Sequence, residues 1–143
     1  MKVEQLKKAT PAILSEINSL LKQLRSNASE QTGTLEELRN VVQNENTVTI
    51  VARDGDKIVG MGSLFIMNNV ARKSGHIEDI VVDGAYRGRG LGEKIARALI
   101  DEARKRKLMG LQLTSKPDRV AGNKLYKKLG FEVKETNVYR LRI

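Results

Sequence analysis

The spacing of apolar positions changes along the chain, and those changes mark out its elements. Residues 2–8 predict a short first strand. Thr10-Pro11 predicts a helix start, with Thr10 as N-cap and proline at the first helical position, where its missing N–H is no loss. Ile13, Ile17, Leu20, Leu21 and Leu24 then recur at helical spacing, so a helix over residues 11–25 buries one face. The polar stretch 26–33 reads as a loop. Thr34 followed by Leu35-Glu36-Glu37 is a capping-box pattern and starts a second helix that runs to about Gln43.

From there the pattern turns to strands. Residues 47–53 and 57–67 are apolar and β-branched and flank Asp54-Gly55, a hairpin signal. A polar connection over 68–74 leads into a strand at 76–82. Leu91, Ile95, Ala98 and Leu99 share one face of a helix over 91–107, with Glu93, Arg97, Asp101 and Lys105 as an i,i+4 charge ladder on the other. A strand over 108–114 follows. Next comes a short helix capped near Asp118 and ended by Gly130 in the left-handed position. Residues 131–133 and 138–143 predict a closing hairpin. The order β-α-α-β-β-β-α-β-α-β-β predicts an α+β fold: one domain over 1–143, with a mixed sheet of about seven strands and about four helices.

Composition narrows the chemistry. With 143 residues, 40% hydrophobic and 30% charged, the chain can bury a core, and disorder is not expected. The absence of cysteine removes disulfides, thiolate metal sites and a cysteine nucleophile together. One histidine, His76, does not make a metal cluster or a Ser-His-Asp triad, so no metal cofactor is expected. No apolar leader or membrane-length stretch is present, which predicts a cytoplasmic protein without a membrane partner. The net charge of +9 is spread along the whole chain and the aromatic fraction is 3%, poor for base stacking. Solvated helix faces account for most of that charge. No recognition-helix or RNA-recognition pattern accompanies it, so nucleic acid is disfavoured as a partner.

The chemistry concentrates between Ile77 and Ala96, where an apolar strand meets a glycine-rich turn with two arginines and then a helix. Such a turn gathers free backbone N–H groups at the positive end of a helix, an anion site suited to a diphosphate. Gly88, Gly90 and Gly92 let the backbone approach a ligand. Arg87 and Arg89 can add charge-assisted contacts, and Leu91 anchors the turn to the core. Walker A requires Lys after its last glycine, but Gly92 is followed by Glu93. The dinucleotide pattern G-x-G-x-x-G fails after Gly90. The acetyl-CoA turn R/Q-x-x-G-x-G/A fits Arg87 to Gly92 in full.

These residues resemble the GNAT superfamily of acetyl-CoA-dependent N-acetyltransferases. The strand IEDIVVD with the following YRGRGLGEKIARALIDEA resembles the family's central strand and cofactor motif. Asn123 to Phe131, NKLYKKLGF, resembles its late signature about thirty residues further on. The resemblance implies a twisted mixed sheet that splays open beside the central strand, with the pantetheine arm of acetyl-CoA in the opening. It implies that the backbone of Ile80, Val81 and Val82 pairs with that arm, and that one N–H there holds the thioester oxygen. By the same resemblance, the amides from Arg87 through Gly88, Arg89, Gly90 and Leu91 to Gly92 bind the diphosphate. It also implies that Asn123 contacts the cofactor and that Tyr126 is the general acid for the departing thiolate. GHIEDIVVD is further similar to the central strand of glucosamine-6-phosphate N-acetyltransferases, whereas LQLTSKPDR departs from theirs.

Without a cysteine, direct attack of a primary amine on the thioester is the expected route. The acceptor is a small-molecule or peptide amine, and the positive net charge favours an acidic one. Glu78 and Asp79 are the candidate bases. Strand alternation sends them to opposite faces unless a bulge intervenes, with Glu78 the favoured one and His76 a possible assistant. Arg72 and Lys73 are candidate partners for an acceptor phosphate. The competing reading is a non-catalytic module, either an acyl-CoA sensor or a basic nucleic-acid binder. The terminal VYRLRI places Tyr139, Leu141 and Ile143 on one face, an apolar edge strand that predicts a homodimer.

Overall fold

The computed structural model describes residues 1–25 and 32–143, so most of the loop expected over 26–33 lies outside the described residues. Strand β1 (Lys2–Gln5) is followed by helices α1 (Pro11–Leu24) and α2 (Leu35–Gln43) and by strands β2 (Thr47–Asp54), β3 (Lys57–Asn68) and β4 (Lys73–Val82). A single 3-10 turn, Gly84–Tyr86, leads into α3 (Leu91–Lys105), then β5 (Leu111–Gln112) and α4 (Val120–Lys128). The two early helices start where the caps predict. The Thr10 hydroxyl accepts from the Ile13 N–H at 3.2 Å, and Thr34 and Glu37 close a reciprocal capping box.

The sheet order is β1-β2-β3-β4-β5, antiparallel throughout except for the parallel β4–β5 pair. Helices α1 and α2 cover one face through Ile17, Leu20 and Leu38, which pack on Val51, Ile58, Met61 and Val81. Helix α3 covers the other through Leu91, Ile95, Leu99 and Ala103, against Val48, Ile50, Leu64 and Ile77. Alternation along β2 explains this division: residues 48, 50 and 52 face α3, and Val51 faces α1.

Four expectations are corrected. The sheet has five strands rather than about seven. Residues 131–133 and 138–143 form no hairpin, and Val133, Val138, Tyr139, Leu141 and Ile143 stay exposed because no strand within the described chain pairs with them. The strand expected over 108–114 shrinks to Leu111–Gln112, because β4 pairs with it only at Gly75 and His76. The α3 charge ladder is partly rearranged: Glu93 pairs with Arg97, but Asp101 pairs with Arg104 and Glu102 with Lys105.

A register irregularity sits between β3 and β4. Ser63 pairs with Glu78 and Met61 with Val81, so Asp79 and Ile80 together oppose the single residue Gly62. This is a β-bulge, and Asp79 carries it at φ +57°, a left-handed conformation that non-glycine residues adopt mainly when they are Asn or Asp. Glycine at 62 lets α3 sit close: an added Cβ would lie 2.9 Å from Ile95 Cγ2 and 3.0 Å from both Ile80 Cγ1 and Leu99 Cδ1. Gly62→Ala is therefore expected to lower stability by about 1–3 kcal/mol through overpacking. Urea unfolding checks this, the expected result being a lower midpoint at unchanged slope.

Candidate active site

The bulge decides where the two acids point. Glu78 shares the face of Ser63, whose hydroxyl meets Thr49 at 3.0 Å, and its carboxylate lies 2.9 Å from His76 Nε2. Asp79 is the extra residue, and alternation resumes after it, with Ile80 packed towards α3 and Val81 towards α1. Its carboxylate lies 4.0 Å from the Arg25 guanidinium, just past the end of α1. The expectation of opposite faces thus fails, because the bulge inserts one residue and leaves both acids on the α1 side. Burial raises the Asp79 carboxyl above its ordinary range; Arg25 works against this, and the neighbouring Glu78 charge adds to it.

Beyond His76 the outer edge of β4 has no strand partner among the described residues. Its backbone groups from Glu78 to Val82 therefore face an opening, which is the splay expected at the central strand. At its upper end the chain turns through Asp83, whose carboxylate accepts from the Ala85 N–H at 2.9 Å. The glycine-rich turn follows. Gly88 and Gly90 sit at φ +78° and +77°, and an added Cβ at either would meet nothing within 4 Å. Gly90 is the N-cap of α3 and offers no side-chain cap, so the first-turn N–H groups keep no partner from a capping side chain. The combination leaves an open, backbone-lined turn at the positive end of a helix, a geometry suited to an anion.

The arginines of the turn are held in place by neighbours. Arg87 Nε donates to the Val82 carbonyl at 3.2 Å. The Arg89 guanidinium lies 5.0 Å from the Tyr86 ring centroid, and the Tyr86 hydroxyl donates to Asp54 at 2.8 Å. Tyr86 was not singled out in the sequence. Its place beside Arg87 is the only signal there, and stacking is visible only in three dimensions. Glu93 in the first turn of α3 accepts from Arg97 and Lys128 at 2.8 and 2.9 Å, and Lys128 in particular holds its carboxyl below the usual range. The Lys128 contact also ties α4 to the start of α3.

Helix α4 forms the far wall. Tyr126 makes an edge-to-face contact with Phe131 at 6.1 Å between centroids, and burial raises its phenol above the ordinary value while Arg119 opposes the shift. The Asn123 side-chain amide N–H donates to the carbonyls of Lys116 and Arg119 at 2.9 and 2.8 Å, bracing the loop before α4. Arg119 Nη2 reaches the Leu24 carbonyl at 2.6 Å, joining α4 to the end of α1. A cavity of about 280 Å³ lies there, lined by Gln23, Leu24, Arg25, Lys116, Asp118 and Arg119. Arg72 and Lys73 are at the opposite end of β4, about 20 Å from Asp79 at ~3.3 Å per strand residue. No local pattern marked Arg25, Lys116 or Arg119, which meet only because the end of α1 packs across the sheet.

Residues 14–131 match the acetyltransferase (GNAT) family. The chain is 32% identical over 96 residues to a glucosamine 6-phosphate N-acetyltransferase of Oryza sativa subsp. japonica, covering 64% of this chain and 56% of that one. It is 33% identical over 102 residues to the Arabidopsis thaliana enzyme of the same name, covering 69% and 66%. The chain therefore matches between about half and two thirds of the length of these relatives. Among solved structures, a Trypanosoma brucei acetyltransferase superposes with TM-score 0.78 at 30% identity, covering 99% of both chains. An aminoglycoside acetyltransferase from an uncultured soil sample, at TM-score 0.86 and 17% identity over 99% of this chain and 95% of that one, shares the fold.

The raised Asp79 carboxyl has a measurable consequence. Its stabilising contribution is complete below the unfolded carboxyl value of about 3.9 and is lost as pH rises through the higher folded value. Asp79→Asn keeps the shape and tolerates the left-handed backbone but lacks the charge. Its stability relative to the parent is expected to rise as pH climbs through that window and then level off. Urea unfolding across about pH 3 to 8 reads this difference, and a pH-independent difference would contradict it.

Proposed function

This chain belongs to the GNAT acetyltransferase family, and on that premise we propose that it transfers the acetyl group of acetyl-CoA directly to a primary amine and works as a homodimer joined through its C-terminal segment. The observation that carries the chemistry is the free edge of β4 from Glu78 to Val82, leading into the uncapped glycine N-terminus of α3. A pantetheine arm has strand-like amide groups that suit such an edge, and a diphosphate suits the turn above it. When bound, acetyl-CoA supplies the activated acetyl group.

In this reading the chain's own groups divide the work. Amides from Arg87 to Gly92 hold the diphosphate, aided by Arg87 and Arg89. An N–H on the edge from Ile80 to Val82 donates to the thioester oxygen as negative charge develops on it. Asp79, with its raised carboxyl beside the α1 cavity, is the better-supported acceptor of the amine proton, and Glu78 paired with His76 lies next to it. The Tyr126 phenol, held protonated by burial, donates to the leaving sulfur. The Asn123 side chain shapes the loop before α4. Arg25, Lys116 and Arg119 outnumber the single acid Asp118 around the cavity, which favours an amine acceptor that also carries negative charge. The amino-sugar phosphates named for the Oryza and Arabidopsis relatives are acceptors of that kind.

Three measurements test this. Tyr126→Phe is expected to lower turnover by about 10²-fold while acetyl-CoA affinity by calorimetry stays within a few-fold. Gly90→Val, forced into a left-handed conformation, is expected to weaken acetyl-CoA binding before it affects the fold. A panel of anionic, neutral and cationic amines, read by free thiol released from acetyl-CoA, identifies the acceptor class. Binding without thiol release on any amine would favour a sensor instead.

A further inference from the structure

We propose that Tyr86 is a positioning residue for the cofactor turn: its ring clamps Arg89 and so holds the turn's N–H groups in place before a diphosphate arrives. This rests on the acetyl-CoA reading above and names a side chain outside the glycine motif that sets the turn's affinity. Arg89 lies between Gly88 and Gly90, both at positive φ with open space where a Cβ would sit. Two glycines around one residue give the stretch wide backbone freedom, which a ligand would have to freeze on binding. Arg89 carries the one side chain in that three-residue stretch that can anchor it.

The anchor starts at the β2–β3 hairpin. Asp54 and Lys57 are cross-strand partners that close it. The Tyr86 hydroxyl donates to Asp54 Oδ2 at 2.8 Å, and Lys57 Nζ lies 5.9 Å from the Tyr86 ring centroid. Tyr86 also packs against the core cluster under α3, and its N–H donates to the Asp83 carbonyl at 2.8 Å. The ring is therefore held by the hairpin, the core and the 3-10 turn together. The Arg89 guanidinium then lies 5.0 Å from its centroid, within cation–π range. Donation to a carboxylate pushes electron density into the phenol, which deepens the negative face that a guanidinium meets.

The other holds on the turn lie outside its flexible part. Arg87 Nε donates to the Val82 carbonyl at 3.2 Å, which fixes the entry before Gly88. Leu91 is buried at the start of α3, which fixes the exit after Gly90. Between these points the Arg89–Tyr86 stack is the remaining side-chain hold. Donors that are already aimed lose less freedom on binding, so the stack converts directly into affinity for a diphosphate. A ligand lacking the diphosphate gains nothing from it. The stack also ties the cofactor turn to a hairpin that itself lines no part of the opening beside β4.

Nitrogen-15 relaxation and calorimetry on the full chain test the clamp. In the ligand-free protein, the N–H order parameters of residues 88–90 should fall from the rigid range to below about 0.6 in both Tyr86→Leu and Arg89→Ala. Unchanged order in either variant overturns the clamp. Arg89 is exposed, so Arg89→Ala keeps this readout available even if Tyr86→Leu does not fold. Acetyl-CoA should bind Tyr86→Leu at least about 5-fold more weakly than the parent, with S-acetyl-pantetheine, which has no diphosphate, unaffected. Tyr86→Phe keeps the ring and should recover most of the loss; equal losses in the two variants overturn the proposal. Because Tyr86 acts through Arg89, Tyr86→Leu should cost nothing further in an Arg89→Ala background, and additive losses overturn it. A parent chain that binds no acetyl-CoA overturns the cofactor reading and this inference with it. A parent that binds while its variants bind equally well overturns this inference alone.

Discussion

The site depends on one mismatch of register: two residues, Asp79 and Ile80, opposite the single Gly62. Without it, β4 would alternate regularly and Asp79 would point towards α3 and the apolar core. The extra residue instead turns its carboxylate towards Arg25 and restores Ile80 to the packed face. It also adds local twist, as bulges do, at the height where β4 parts from β5. The opening, the half-buried acid and the free strand edge therefore have a common origin. Gly62 makes this tolerable from the other side, because α3 packs against the bulged segment at a distance that leaves no room for a Cβ.

Three elements then frame the opening. The start of α3 provides backbone donors and the positive end of a helix. The end of α1 provides Arg25 and the Leu24 carbonyl, which fix the bulge on one side and Arg119 on the other. Helix α4 closes the far side, tied to α3 by the Lys128–Glu93 pair and to its own loop by Asn123. These ties are exposed, so each adds little to global stability. Their effect is positional: they hold the end of α1, the start of α3 and helix α4 in fixed relation.

The glycine turn was the most legible part of the site because its chemistry is local. Positive φ at Gly88 and Gly90, and an uncapped helix start at Leu91, follow from residue type and neighbours alone. Tyr126 stood out through its late motif, and in the structure burial raises its phenol. Glu78 and Asp79 were found as a pair, but the faces they take depend on a bulge that leaves no clear mark on the sequence. Asn123 stood out through the same motif, whereas the donation of its amide to the Lys116 and Arg119 carbonyls is a loop geometry no spacing predicts.

What the sequence determined by itself were the features set within a few residues: the Thr10 and Thr34 caps, the Asp54-Gly55 hairpin, the apolar stripes of α1 and α3, and the glycine-rich turn before α3. Tertiary structure decided what depends on contacts between distant segments. The strand expected over 108–114 kept two residues because β4 leaves it after His76. The expected closing hairpin did not form because residues 131–143 find no partner strand in their own described chain. The basic cavity of Arg25, Lys116 and Arg119 exists only because the end of α1 meets the loop before α4. Local propensity acts through a residue's immediate neighbours, whereas strand pairing and convergent charge are set by packing between segments up to about ninety-five positions apart.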